Sequence, residues 1–191
     1  TTDQITTLRP LCRHHIFRRH VARHVARPVT RARRPLLESQ GQYGCSPGGL
    51  DAAIHRAQMI WERYPALIHH CLDIANAHTT ISRAAIFHRL SHLCRDHDAT
   101  DLDRHALIYF LAFYGAPGRT LVQSGPAFSA VLQTDGLDQG CGMAGYFFNI
   151  TFSTAHTFLL SIPLPPHAPP LPRANLIHDD SNFFPPPFSL E

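Results

Sequence analysis

Six prolines fall between Pro163 and Pro172, and no other stretch of the chain limits its fold so strongly. Proline lacks a backbone N–H and has a fixed φ, so this stretch is neither a helix interior nor a central strand. The residues before it and after it must therefore form separate elements. The 191 residues are 44% hydrophobic and 16% charged, which suits one globular domain or one and a half and excludes disorder throughout.

All 17 basic residues are arginine, and nine of them lie between Arg9 and Arg34, where no acidic residue occurs. The net charge of +3 is modest, so this local block, and not the total, is what can meet a polyanion. Five cysteines (Cys12, Cys45, Cys71, Cys94 and Cys141) are scattered, odd in number and without a CxxC pair. That spacing argues against a disulfide framework or a structural zinc site and for a reducing compartment. The first thirty residues are too polar for the apolar core of a signal peptide. The cleanest apolar run, Ala106 to Tyr114, is far short of the ~20 residues of a membrane helix. The start at Thr-Thr without methionine suggests a piece of a longer product.

Apolar spacing predicts a helix within residues 8–34, closed by Pro28 and Pro35, then a loop over 40–49. An amphipathic helix runs from Leu50 to Trp61, with Trp61 expected in the core. Ala66 to Asp73 reads as a strand with its carboxylate at the C-terminal end. Ser82 offers an N-cap for a helix through Ile86, Phe87, Leu90 and Leu93. An acidic loop over 96–103 precedes a helix from Ala106 to Tyr114, ended at Gly115. Residues 119–134 form a hairpin about a Ser-Gly-Pro turn. Gly145 to Ile162 reads as a buried helix or helix–strand pair. Beyond the prolines, two short apolar arms flank Asp179-Asp180, the pattern of a hairpin with the acids at its tip.

Asp73, Asp179 and Asp180 each end or interrupt an apolar strand. Carboxylates brought together do not all ionise cheaply unless a cation neutralises them. Mg2+ is the natural partner, since it takes one or two carboxylates plus phosphate oxygens and water. On the acids alone, a solvated turn for Asp179-Asp180 and a strand-end cap for Asp73 are the favoured reading, since paired aspartates are common.

The surrounding residues add a resemblance. Asp73-Ile74-Ala75-Asn76-Ala77-His78, followed by Arg83, is similar to the first catalytic motif of reverse transcriptases of the non-LTR retrotransposon type, D-x-x-N-A-F-N-x-x-x-R. His78 stands where that family has phenylalanine, and Thr79 where it has asparagine. Gly136-Leu137-Asp138-Gln139-Gly140 resembles the family's G-V-x-Q-G-D-P loop up to Gly140, after which Cys141 and Gly142 depart from it. Leu176-Ile177-His178-Asp179-Asp180 resembles the Y-x-D-D hairpin, with Ile177 in place of the aromatic. Upstream, Arg9-Pro10-Leu11 with Arg18 and Arg19, and then Gln42-Tyr43-Gly44 with Pro47-Gly48-Gly49, are similar to the fingers segment and the loop after it. Five partial matches stand in the family's order.

The resemblance implies an α+β fold: a right-hand polymerase palm, an antiparallel sheet backed by helices, with a helical fingers portion and no thumb. Residues 1–65 would be the basic, fingers-like segment and 66–191 the palm. The implied activity is RNA-directed DNA polymerisation, in an intracellular and by resemblance nuclear setting. RNA template, DNA primer and deoxynucleoside triphosphates would be the partners, with no membrane. Asp73, Asp179 and Asp180 would hold two Mg2+ ions, or Mn2+. Ile74, His78, Gln139 and Gly140 would line the nucleotide site, with His78 a smaller and more polar ring than the family's aromatic. Arg9, Arg18, Arg19 and Arg83 would contact nucleic acid. The alternative is a degenerate, inactive remnant of such an enzyme that only binds nucleic acid. His20 and His24 have a chelating spacing, but no third ligand accompanies them and a solvated face explains them.

Overall fold

The computed structural model describes residues 16–65, 70–74, 76–124, 126–161, 174–177 and 180–183. Arg9, Asp179 and the proline stretch 163–172 lie outside them, so the expectations placed there have no structural counterpart. The chain is α+β. Among the described residues, six helices run as α1 (Ile16–Ser39), α2 (Gly49–Arg63), α3 (Ala77–Thr80), α4 (Arg83–Leu93), α5 (Asp101–Tyr114) and α6 (Ala144–Ser161), and five strands as β1 (His70–Asp73), β2 (Gly118–Ser124), β3 (Ala127–Gln133), β4 (Ala174–Ile177) and β5 (Asp180–Phe183). β1, β5 and β4 make one antiparallel sheet in that order, and β2 with β3 a separate hairpin.

Local signals account for several boundaries. The Ser82 hydroxyl accepts a hydrogen bond from the Ala85 N–H and starts α4, as its sequence predicts. Asn76 sits at φ 54°, a left-handed backbone that asparagine tolerates better than most residues. Its carbonyl then accepts the N–H groups and hydroxyls of Thr79 and Thr80, closing the short helix α3. α5 begins five residues before the expected Ala106. Thr100 donates its N–H and hydroxyl to Asp103 Oδ2, both at 2.8 Å, and this turns the end of the acidic loop into the first turn of a helix.

α1 corrects a second boundary. It runs on to Ser39 through both Pro28 and Pro35 instead of closing there. Each proline deletes one helical hydrogen bond, at about 3 kcal/mol in a helix interior. Both prolines are exposed. Val29, Arg33 and Leu37 are buried where α1 packs on α5 and α6. Tertiary packing outweighs the local penalty.

The core is a set of aliphatic and aromatic side chains from α1, α4, α5, the 136–143 loop and α6. Phe147 is its centre, edge-on to Phe110 at 5.4 Å and to Tyr114 at 6.3 Å between ring centroids. Such pairs add about 0.5–1.5 kcal/mol each beyond the area they bury. Ala22, Val29 and Leu37 of α1 share this core with Ile86 and Phe147. Trp61 corrects another expectation, since it is 57% exposed on α2 and not in the core. No helix among the described residues is long and apolar enough to cross a membrane.

Candidate active site and basic face

Two of the three acids can be placed by their backbone. β1 and β5 pair antiparallel with Asp73 opposite Asp180, and β4 pairs with β5 so that Ile177 is opposite Asp180. Residues directly opposite in such a ladder have Cα atoms about 4.5–5.5 Å apart. The two arms expected to flank the acids are therefore present as β4 and β5, with Asp180 opening the second, and β5 brings a residue 107 positions downstream next to Asp73. Like charges directly opposite in a sheet are destabilising unless something compensates them.

The glycine-containing loop lies against the segment that follows Asp73. The Leu137 N–H donates to the His78 carbonyl, and the Gly136 N–H to that of Ile81 at 2.9 Å. Gly136 has φ +77°, and a Cβ there would stand 2.1 Å from the Thr79 carbonyl oxygen, so only glycine permits this approach. The His78 ring is 5.2 Å from that of Phe148, tilted by 58°. Gln139 is half-buried and Gly140 is exposed with φ 96°. Ile74 is half-buried beside the turn into α3, where its carbonyl accepts the Ala77 N–H. Of the expected nucleotide-site residues, His78 is thus joined to the loop that carries Gln139 and Gly140.

The arginines divide into two sets, and the sequence does not distinguish them. Arg83, expected at nucleic acid, is instead 9% exposed. Its Nε donates to the Gly136 carbonyl at 2.9 Å and its Nη1 to the Ala116 carbonyl at 3.1 Å, while its guanidinium lies over Tyr114. It holds the loop and does not face solvent. Arg18 turns inward as well. Its Nη2 meets Asp138 Oδ2 at 2.9 Å, between the rings of Phe113 and Tyr114, and ties α1 to the same loop. Arg33 pairs with Asp103. Arg19, Arg23, Arg27 and Arg31 form the other set. They recur every fourth residue along α1 and all are exposed. At 1.5 Å per residue they climb about 18 Å, with no acidic side chain among them.

Burial pushes the Tyr109, Tyr114 and Tyr146 hydroxyls well above the usual tyrosine range. All three are neutral: the Tyr109 hydroxyl is 3.3 Å from Cys141 Sγ and the Tyr114 hydroxyl accepts the Asp138 N–H, while the buried Tyr146 hydroxyl has no hydrogen-bond partner among the described residues. Burial likewise raises the Cys45 thiol, which accepts from Asn149 Nδ2 at 2.9 Å. Cys45, Cys94 and Cys141 are free thiols. Comparison with protein-family models, with curated proteins and with solved structures gives no match, so the geometry and the residues carry the functional reading.

Proposed function

We propose that the chain is a fragment of an RNA-directed DNA polymerase of the retrotransposon type. It would extend a DNA primer on an RNA template by attack of the 3′-hydroxyl on the α-phosphate of a deoxynucleoside triphosphate. The observation that carries this reading is the pairing of Asp73 with Asp180 on adjacent strands. A second supports it: the segment after Asp73 is hydrogen-bonded to the loop bearing Gln139 and Gly140.

Two carboxylate residues at one register position suit a hard cation with oxygen ligands, so the donor set fits Mg2+. Asp73, Asp180 and, by sequence, Asp179 would hold it. Bound there, a pair of such ions would stabilise the charge on the attacking and leaving oxygens. His78 would form the floor of the nucleotide site, the Gly136–Gly140 loop would approach the base pair, and Arg83 and Arg18 would hold that loop in position.

Primer extension with Mg2+ and deoxynucleoside triphosphates on an RNA template is the test. The expected outcome is extension by the unmutated chain and its abolition in both Asp73→Asn and Asp180→Asn, with the fold retained by circular dichroism. Extension that survives both substitutions would overturn the reading.

The exposed arginines favour a second reading, nucleic-acid binding without catalysis, because it needs nothing from the acids. Binding without extension in the unmutated protein is its signature.

A further inference from the structure

α4 carries a histidine pair outside everything assigned above. His88 and His92 stand one helical turn apart and both are exposed, on the side of α4 opposite the buried Ile86, Leu90 and Leu93. Both line an open pocket of about 520 Å3, with Ser91, Asp96 and His97 also around it. Imidazoles at i and i+4 project from one face of a helix and chelate a single transition-metal ion, as in the HExxH motif of zinc enzymes.

The electrostatic surroundings favour a cation. His92 lies in the last turn of α4, where the unsatisfied carbonyls make the negative end of the helix. Asp96 follows directly, and hydrogen bonds from His97 hold its carboxyl below the usual range, so it carries its charge. Asp98 lies 3.2 Å from the other nitrogen of the same His97 ring. Arg95 at the rim and Arg89, which interacts with Asp96, are opposing charges. His20 and His24 on α1 have the same spacing and are exposed too, yet they stand among Arg19, Arg23 and Arg27, which repel a dication.

We propose that His88 and His92 form a two-imidazole site for a borderline divalent metal ion: Zn2+, Cu2+ or Ni2+. The two imidazoles are the protein ligands of this site, since among the described residues no three histidine, cysteine or carboxylate side chains converge to hold a metal. The site differs in kind from the Asp73–Asp180 pair, since nitrogen ligands select the later first-row metals whereas Mg2+ keeps to oxygen.

Zinc titration of the whole chain by calorimetry is the test, with magnesium present in millimolar excess. The unmutated chain is expected to bind zinc, and His88→Gln and His92→Gln each to weaken it about tenfold or more, comparable to the 10–100-fold that even outer-shell changes cost. His20→Gln with His24→Gln should leave the affinity unchanged. Glutamine is a good helix former and both α4 positions are exposed, so an unaltered circular dichroism spectrum separates ligand loss from unfolding. The proposal fails if the unmutated chain binds no zinc, if the α4 variants bind as tightly as it does, or if the loss belongs to the α1 pair.

Discussion

Arg33 and Asp103, seventy residues apart, meet in a two-point ion pair, Nε to Oδ1 at 2.8 Å and Nη2 to Oδ2 at 2.6 Å, with the carboxylate 1% exposed. Thr100 supplies two more donors to the same group. The pair fastens the C-terminal third of α1 to the first turn of α5. Removing one partner of a buried pair strands the other charge, so Asp103→Ala and Arg33→Ala should each cost about 3–5 kcal/mol in urea unfolding. A loss below 1 kcal/mol would mean that the pair is effectively solvated.

The same carboxylate sets an acid limit. Burial alone would push the Asp103 carboxyl up, but the hydrogen bonds from Arg33 and Thr100 outweigh it and hold it below the usual aspartate range. A depressed folded-state pKa contributes stability above the unfolded value, about 3.9, and loses it as pH falls through the folded one. Asp103 should therefore give no slope in Tm between pH 7 and 5 and a decline below about pH 4. That acid decline should be shallower in Asp103→Asn.

Gly136 and Gly48 separate conformational from steric cost. Both have positive φ, but a Cβ at Gly48 meets nothing within 4 Å whereas one at Gly136 meets the Thr79 backbone at 2.1 Å. Gly48→Ala should cost about 1–2 kcal/mol, the left-handed penalty alone. Gly136→Ala should cost more and should also raise hydrogen exchange at the Leu137 amide. Equal losses in thermal unfolding would refute the close approach.

Salt dependence should sort the arginines if the chain binds nucleic acid. Arg19→Gln, Arg23→Gln, Arg27→Gln and Arg31→Gln should each weaken binding to single-stranded RNA and lower the slope of log K against log salt by about 1. Arg18→Gln and Arg83→Gln should leave that slope unchanged, because those side chains turn to Asp138 and to backbone carbonyls. Fluorescence anisotropy across a salt series reads both results.

Phe147 is fully buried among Phe110, Tyr114 and Tyr109. Phe147→Ala should cost about 3–5 kcal/mol by leaving a cavity that its stiff aromatic neighbours fill poorly. Denaturant midpoints measure it.

What the sequence determined by itself was local. The Ser82 cap, the hairpin about the Ser-Gly-Pro turn and the arms flanking the final acids are each encoded within a turn or two of chain. Periodicity and capping operate over that range, so they are readable there. For residues 144–161 the sequence left a helix or a helix–strand pair open, and the structure makes it one helix. Only the tertiary structure decided that α1 would pass through two prolines, that Arg18, Arg33 and Arg83 would turn inward while Arg19, Arg23, Arg27 and Arg31 face water, that Trp61 would be exposed, and that Asp73 would stand opposite Asp180. Which way an arginine turns depends on an acceptor that another element supplies, 120 residues away for Arg18 and 70 for Arg33. No window along the chain contains both ends of such a contact, and its free energy exists only once the intervening helices have packed.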